Sequence, residues 1–245
     1  MKVQYSILRY RPDTYSGESI NIGIAYYNLD TEQKDFKLIK NYNRLWAFDD
    51  ELDPEFTRIS IESFKEDWLS GSLFSSHTSL QDYTRFYVNE FYFSQVATEN
   101  VTNYDEFIKT SSSYFLSKSM SRKERLNKKE KMVFIESFLE ENSHSFSKNV
   151  RVEGKYDDPY IFDYLLNENE KPMGIKYISS SKQSLNMLRS LLFYAEHSYN
   201  TSVSIVLETD LEHCDIPTKN LLKMATEKNL ISLIFDDKID ELLNV

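Results

Sequence analysis

The sequence is poor in the residues that build disulfide-rich, zinc-binding and loop-dominated proteins. Its 245 residues include one cysteine, five glycines and five prolines. The single thiol, Cys214, excludes an internal disulfide and leaves no second thiol nearby for a zinc site. So few glycines and prolines argue against a repetitive or loop-dominated architecture. The cysteine usage favours a reducing compartment.

Long apolar runs and common catalytic motifs are also missing. No stretch reaches the roughly 18–20 apolar residues of a membrane span, and the opening residues, MKVQYSILRYRPD, alternate like a strand rather than a signal peptide. These features predict a cytoplasmic protein without a membrane partner. The sequence has no glycine-rich phosphate loop, nucleophile elbow or HExxH motif, and its histidines lack metal-ligand spacing. No cofactor and no metal ion is expected.

Aromatic and acidic residues are abundant instead. The 16 Phe and 17 Tyr, within a hydrophobic content of 40%, predict a folded core. The formal net charge of −10 repels free nucleic acid at long range, unless a local basic surface overcomes it. An acidic balance is also common in soluble proteins, because it keeps them dispersed.

The N-terminal half predicts an antiparallel α+β unit. Three alternating segments, Val3–Arg9, Glu18–Tyr27 and Lys34–Lys40, predict a meander of strands. The tripeptide DPE at 53–55 supplies a helix cap, a first-turn proline and an early acid, and apolar residues follow at helical spacing from Phe56 to Trp68. A helix over 54–70 is therefore expected. Aromatic-rich residues 85–96 predict a strand and residues 103–115 a short helix.

The C-terminal half predicts an α/β unit of α-β-β-β-α-β-α-β order. A capping box at Ser121–Glu124 predicts a helix that runs to about Glu141. The following elements are predicted as strands at 148–153, 160–166 and 172–178, a helix at 182–197, a strand at 202–207, a helix at 218–228 and a strand at 231–235. The domains are predicted as 1–117 and 118–245, and the fold class as α+β.

The segment Tyr5–Tyr27 resembles the opening of a bacterial domain-of-unknown-function family, DUF3037. The resemblance lies in a tyrosine-led strand that ends in Arg9, followed by Glu18, Asn21 and Gly23. Because that family has no assigned activity, the resemblance implies no function. Glu18 and Asn21 are taken as candidate binding residues. A glycine inside a strand, such as Gly23, predicts a bulge or a close backbone approach.

The segment Tyr156–Leu243 resembles a second uncharacterised family, DUF1829, which occurs in phages and mobile elements. Its element order looks like the restriction-endonuclease-like (PD-(D/E)XK) core. That resemblance implies an acid on the second strand and an acid-x-Lys motif on the third, which together hold Mg²⁺ and polarise the attacking water. Asp163 and Lys176 fit two of these positions, but Gly174 occupies the place of the second acid. The resemblance therefore implies a degenerate nuclease core, unless Glu136 or Glu140 supplies a migrated ligand.

One charged segment points to binding. Residues 118–131 contain seven basic residues against Glu124 and Glu130, and the basic residues are Lys118, Arg122, Lys123, Arg125, Lys128, Lys129 and Lys131. Basic charge at a helix N-terminus opposes the helix dipole, so contact with phosphate or an acidic partner is one reason for it. A solvated helix face is the other. The candidate binding residues here are Arg122, Lys123, Arg125, Lys128 and Lys129.

Together these features predict a protein without enzymatic activity that binds a host or phage protein. We expect it to be encoded by a phage or mobile element of a low-GC bacterium, and to act on or with host nucleic-acid processing or defence. Nucleic acid is a second class of partner, through the basic segment, and self-association is compatible with the sequence. Two alternatives remain open: a divergent Mg²⁺-dependent nuclease using Asp163 and Lys176, and an antitoxin-like or nucleic-acid-mimicking protein whose acidic residues 49–67 occupy a basic groove.

Overall fold

The structure, a computed structural model, describes residues 1–12, 18–70, 79–87, 89–121, 123–141, 145–167, 171–179, 183–198 and 200–244. The chain divides into two compact units, Met1–Glu141 and Asn142–Val245. The first contains an antiparallel sheet and the second a mixed sheet, each accompanied by helices, so the predicted α+β class is confirmed.

The first unit is built on a sheet whose order is β3-β2-β1, with β4 and β5 pairing side by side along the other edge of β1. Its strands are β1 (Lys2–Tyr10), β2 (Ile20–Asn28), β3 (Lys34–Leu38), β4 (Phe91–Phe93) and β5 (Ala97–Asn100). Its helices are α1 (Asn43–Phe48), α2 (Pro54–Ser70), α3 (Leu80–Thr84), α4 (Tyr104–Phe115) and α5 (Lys128–Glu141), with a 3-10 turn at Ser117–Ser119.

Helices cover both faces of this sheet. The Tyr26 hydroxyl lies 2.8 Å from Ser111 Oγ on α4, whereas the neighbouring Tyr27 ring contacts the fully buried Trp68 on α2, with ring centroids 5.9 Å apart. Because successive side chains of a strand point to opposite faces, α4 and α2 lie on different sides of β2. This double burial explains why β2 is an almost continuous apolar run rather than an alternating one.

The strand predicted over residues 85–96 is wrong for most of its length. Of the described residues in this range, Phe91–Phe93 alone form a strand. The break after them is at Ser94, whose Oγ accepts the Ile7 N–H at 3.0 Å while its own N–H donates to the Ile7 carbonyl at 2.9 Å. The preceding Tyr87 packs on Phe93 in an aromatic cluster, with centroids 5.5 Å apart. Aromatic composition favoured a strand, but Tyr87 packs its ring from outside any strand, and the Phe86 ring is exposed.

The helix predicted from Ser121 begins at Lys128 instead. Ser121 and Glu124 make one of the two capping-box contacts, in which the Ser121 N–H donates to Glu124 Oε2 at 3.2 Å, but they close a turn. The helix is capped six residues later by a reciprocal pair, in which Asn127 N–H donates to Glu130 Oε2 at 2.7 Å and Glu130 N–H donates to Asn127 Oδ1 at 3.1 Å.

Helix α5 belongs to the first unit. The Phe134 ring stacks on Tyr114 of α4 at a centroid distance of 4.2 Å. The division between compact units therefore follows Glu141, whereas the sequence placed the domain boundary after Ser117. The second unit lacks the first helix of the expected order for the same reason.

The second unit is a five-stranded mixed sheet of order β10-β9-β8-β7-β6. Its elements are β6 (Phe146–Val152), β7 (Tyr160–Leu166), β8 (Met173–Ile178), α6 (Gln183–His197), β9 (Ser202–Leu207), α7 (Ile216–Glu227) and β10 (Ser232–Phe235), with 3-10 turns at Leu211–His213 and Asp236–Asn244. Strands β6, β7 and β8 pair antiparallel, and β8, β9 and β10 pair parallel. A buried cluster from β7, α6, β9 and α7 forms its core, and it includes Phe162, Leu188, Leu191, Ile205 and Leu222.

Candidate functional site

The two residues predicted as a nuclease remnant lie together on adjacent strands of the second unit. Asp163 is on β7 and Lys176 on β8, and Lys176 Nζ is 2.9 Å from Asp163 Oδ1. Their side chains are only 22% and 13% exposed. The ammonium also donates to the Ile161 carbonyl at 3.1 Å. Sequence reasoning therefore placed both residues on the correct strands, and the structure brings them into direct contact.

This pair occupies an interruption of the sheet. The ladder between β6 and β7 pairs Lys148 with Tyr164 and Val150 with Phe162 but omits the position of Asp163. The residue that would face it, Asn149, has a φ of 52°, which turns the strand away from regular β geometry.

On the other side of β7, the backbone ladder with β8 ends at the pair Tyr164–Ile175. Two residues beyond Ile175 on β8, the Tyr177 N–H donates to Asp163 Oδ2 at 2.8 Å. The carboxylate thus acts as the acceptor that a backbone carbonyl supplies elsewhere in the sheet. Both oxygens of Asp163 are engaged, one by Lys176 and one by Tyr177. Asp163 therefore links β7 to β8 beyond the end of their backbone ladder.

Gly174, which stands in place of the second acid, is required by packing. A Cβ atom at this position would lie 2.6 Å from two ring carbons of Phe162, a fully buried core residue. Such a distance is far inside van der Waals contact, so any side chain here must displace the ring. The position therefore lacks a carboxylate because the core occupies the space that a carboxylate would need.

An aromatic residue lies beside the pair. Tyr160, whose ring centroid is 5.9 Å from Lys176 Nζ, donates its hydroxyl to the Met187 carbonyl at 3.4 Å. Burial raises the pKa of Tyr160, and the charge of Asp163 raises it further, so the phenol stays protonated at neutral pH. In the part of the chain that the structure describes, no three His, Cys, Asp or Glu side chains form a group that could hold a metal ion.

The N-terminal candidate residues lie in different environments. Asn21 is buried, where its Oδ1 accepts from Arg9 Nε at 3.0 Å and its Nδ2 donates to the Phe115 carbonyl at 3.0 Å. It thereby ties the β1–β2 hairpin to the end of α4. Glu18, in contrast, is exposed just before β2. The structure therefore gives Asn21 an internal packing role, and of the two residues only Glu18 lies at the surface.

Gly23 lies beside a strand irregularity. The β1–β2 register pairs Leu8 with Gly23 and Arg9 with Asn21, so Ile22 is the extra residue of a bulge. A Cβ on Gly23 would lie 2.8 Å from one side-chain carbon of Leu38 and one of Phe36, and 3.2 Å from the Lys37 carbonyl oxygen, all on the neighbouring strand β3. The glycine thus has both features that its place in the sequence predicted, a bulge and a close approach.

The basic segment separates into two kinds of residue. Arg125 is held by its own chain, because its Nε donates to the Met120 carbonyl at 3.1 Å and an Nη to the Lys118 carbonyl at 3.4 Å. Lys123 is exposed in the turn before α5. Arg122 lies outside the described residues.

The first two residues of α5, Lys128 and Lys129, are exposed at its N-terminus, whereas the sequence placed that N-terminus at Ser121. Lys129 lines a cleft of about 870 Å³ between β5, α4 and α5. Glu106 and Glu130 line the same cleft, and Phe134 forms part of its wall. Because both signs of charge are present, the cleft is not a basic pocket.

Sequence reasoning missed an exposed apolar surface on α2. Phe56 and Ile59 helped to predict the helix through their spacing, and in the structure they are 71% and 62% exposed. The buried residues are Thr57, Ile61 and Trp68. Successive spacings of four and seven residues mark that stripe, and its first member, Thr57, is polar, so the stripe is not visible as an apolar pattern.

One family model matches part of the chain. Residues 5–90 match the family model described as a protein of unknown function, DUF3037. The N-terminal resemblance is confirmed. No curated protein matches the chain. The resemblance of Tyr156–Leu243 to DUF1829 and to a nuclease core stays a prediction.

The DUF3037 match covers β1 to β3 and α1 to α3. Arg9, Asn21 and Gly23, which carried the resemblance, all serve the internal packing of the hairpin, because two are buried and hydrogen-bonded and the third sits at the bulge. Within the described residues, no helix combines the length and the apolar character that a membrane span requires.

Proposed function

We propose that this protein is a non-catalytic factor that acts by binding another protein in the cytoplasm. The observation that carries the proposal is that the Asp163 carboxylate and the Lys176 ammonium are hydrogen-bonded within the sheet. Lys176 donates to Asp163 and to Ile161, and the remaining carboxylate oxygen accepts the Tyr177 N–H. These contacts support a role for the pair in holding the sheet together.

The packing at Gly174 supports the same proposal. A magnesium site of the nuclease type needs carboxylates on neighbouring strands, because Mg²⁺ is commonly held by one or two carboxylates together with phosphate oxygens. The developing charge on a phosphate is then stabilised by the metal, which is usually a large part of catalysis. With Phe162 over Gly174, the third strand has no room for that carboxylate.

The biological setting belongs to the same proposal. The protein would derive from a phage or mobile element and act on or with host nucleic-acid processing or defence. This part rests on the resemblance of Tyr156–Leu243 to a family found in such elements. On this proposal the second unit would serve as a binding scaffold, since a fold does not dictate a function.

The test combines a cleavage assay with partner capture. Purified protein is incubated with single- and double-stranded DNA and RNA in the presence of Mg²⁺ or Mn²⁺, and we expect no cleavage. Tagged protein expressed in a low-GC bacterial host is expected to co-purify with one protein at a constant ratio. Metal-dependent cleavage that disappears in both Asp163→Asn and Lys176→Met would overturn the proposal.

A second candidate function, a divergent Mg²⁺-dependent nuclease, is favoured by one observation. An acid and a lysine stand 2.9 Å apart on adjacent central strands, the arrangement that the nuclease hypothesis requires of these two residues. The two candidates are separated by calorimetry with Mg²⁺. A nuclease should bind the metal through Asp163, and the Asp163→Asn variant should lose that binding.

A further inference from the structure

The outer surface of α2 combines exposed apolar side chains with unpaired acids. Phe56 and Ile59 project into solvent one turn apart, with exposures of 71% and 62%. Glu55, Glu62 and Glu66 are exposed on the same side of the helix, because they lie three, four or seven residues from Ile59. We call these five residues the acidic helix face.

The charges of this face are only partly compensated. Arg58 and Lys65 lie within one helical turn of its acids. Within the described residues, however, none of its three carboxylates forms an ion pair. Glu62 and Glu66 are four residues apart, a spacing at which like charges repel and destabilise a helix. Large exposed apolar side chains next to excess negative charge cost stability or solubility in the free protein, and both costs are relieved when a partner covers them.

The same surface extends toward α1 through residue types that are enriched in protein interfaces. Arg58 lies 5.6 Å above the Tyr42 ring, and Tyr42 stacks on Trp46 with ring centroids 5.5 Å apart. Both aromatic side chains are half-buried. Tyr, Trp and Arg supply much of the binding energy at known interfaces, usually from the centre of the contact.

We propose that the acidic helix face is a docking surface for a basic amphipathic segment of another protein, an assignment that rests on the proposed binding function and names the chemistry of its partner. The apolar side of that segment packs on Phe56 and Ile59. Its lysines and arginines lie against Glu55, Glu62 and Glu66. Charge complementarity decides the sign of the partner, and the apolar pair distinguishes such a segment from a merely cationic chain.

The test uses a synthetic amphipathic peptide of leucine and lysine, about 18 residues and thus about five helical turns long. Two comparison peptides replace every leucine with serine or every lysine with glutamate. Fluorescence anisotropy at physiological ionic strength should show that the full-length protein binds the leucine–lysine peptide at least about tenfold more tightly than either comparison peptide.

Two variants locate the binding. Phe56→Ser with Ile59→Ser should weaken binding of the leucine–lysine peptide at least about tenfold. Glu55→Gln with Glu62→Gln and Glu66→Gln should weaken it similarly and flatten its salt dependence. The matched control, Phe86→Ser with Val133→Ser, removes two other exposed apolar side chains of the same unit and should bind like the parent.

Three outcomes overturn the inference: equal binding of the leucine–lysine and serine–lysine peptides, an equal loss in the control variant, or full binding by the triple glutamine variant. Thermal melts check that each variant is folded. If the serine variant unfolds, the glutamine variant decides, because it changes exposed carboxylates alone. A catalytic function, which would overturn the proposed function, would appear as metal-dependent cleavage through Asp163 and leaves this peptide assay unaffected.

Discussion

Lys176 Nζ lies 2.9 Å from Asp163 Oδ1, and the backbone N–H of the residue after Lys176 is bound by the other oxygen of the same carboxylate. The acid–lysine pair that resembles a catalytic motif in the sequence thus connects β7 and β8 where their backbone hydrogen-bond ladder has ended. Its stability can be measured separately from any activity.

The first prediction concerns that connection. Asp163→Ala should lower the free energy of unfolding by about 2 kcal/mol, because it leaves the Tyr177 N–H and a largely buried ammonium without their acceptor. Lys176→Met should cost less. A double-mutant cycle by guanidinium unfolding should give a coupling energy of about 1 kcal/mol or more. Lys171→Met, an exposed control, should stay within about 0.5 kcal/mol of the parent. Additive single effects would show that the pair is incidental.

The second prediction concerns the space above Gly174. Gly174→Ala should cost about 1–3 kcal/mol of unfolding free energy, since the added methyl group meets the Phe162 ring. Gly174→Glu should destabilise further and should gain no Mg²⁺ binding by calorimetry. Phe162→Leu introduced into Gly174→Ala should recover part of the loss relative to the two single changes. Normal stability of Gly174→Glu would contradict this account of the missing carboxylate.

The third prediction concerns Gly23. Gly23→Val should lower the free energy of unfolding by more than about 1 kcal/mol, because its Cβ would press on Leu38 and Phe36 beside a bulge. Lys37→Val, on the exposed side of the adjoining strand, should change it by less than about 0.5 kcal/mol. Superimposable thermal melts of Gly23→Val and the parent protein would refute the packing role.

The fourth prediction is that substitutions of two basic residues, Lys129 and Arg125, change the free energy of unfolding in opposite directions. Lys129→Glu should raise the unfolding free energy by about 0.3–1 kcal/mol, because an acid near the N-terminus of α5 suits the helix dipole. Arg125→Gln should lower it by about 0.5–1.5 kcal/mol through loss of hydrogen bonds to the Met120 and Lys118 carbonyls. Circular dichroism during denaturation measures both.

Binding gives the matching readout for the same segment. Reversal of Lys123, Lys128 and Lys129 to Glu should abolish binding of labelled single-stranded DNA or of an acidic partner and leave the fold intact. Any affinity for nucleic acid should also fall steeply with added salt, because counterion release drives it. Binding that survives reversal and high salt would remove this segment as a contact surface.

The fifth prediction concerns alkaline pH. Tyr87 donates to Asp67 Oδ2 at 3.0 Å, and burial together with that hydrogen bond raises the pKa of Tyr87 from 10.0 to about 12. The unfolded chain therefore loses this proton at lower pH than the folded chain. The stability contributed by the shift is fully present below pH 10 and declines as the pH rises from about 10 to about 12. Tyr87→Phe should lose less stability than the parent over this interval in denaturant titrations, and equal slopes would contradict the assignment.

Local sequence patterns determined most elements, because the periodicity of each segment matched the way it is buried. The helix at 54–70 and the strands at 160–166 and 202–207 were predicted with the bounds that the structure has. The same patterns placed Asp163 and Lys176 on neighbouring strands. The N-terminal resemblance was likewise carried by local features, the order of Arg9, Asn21 and Gly23 around one hairpin.

Tertiary structure decided between alternatives that the local sequence patterns could not distinguish. Ser121–Glu124 and Asn127–Glu130 are both capping sequences, and only the second begins a helix, whose Phe134 packs on Tyr114. The absent carboxylate at position 174 is explained by Phe162, which is distant in sequence but lies directly over the glycine. Likewise, α2 is oriented with Trp68 buried in the core, and Phe56 on the same helix is exposed. Such outcomes depend on contacts between segments, which no pattern within one segment contains.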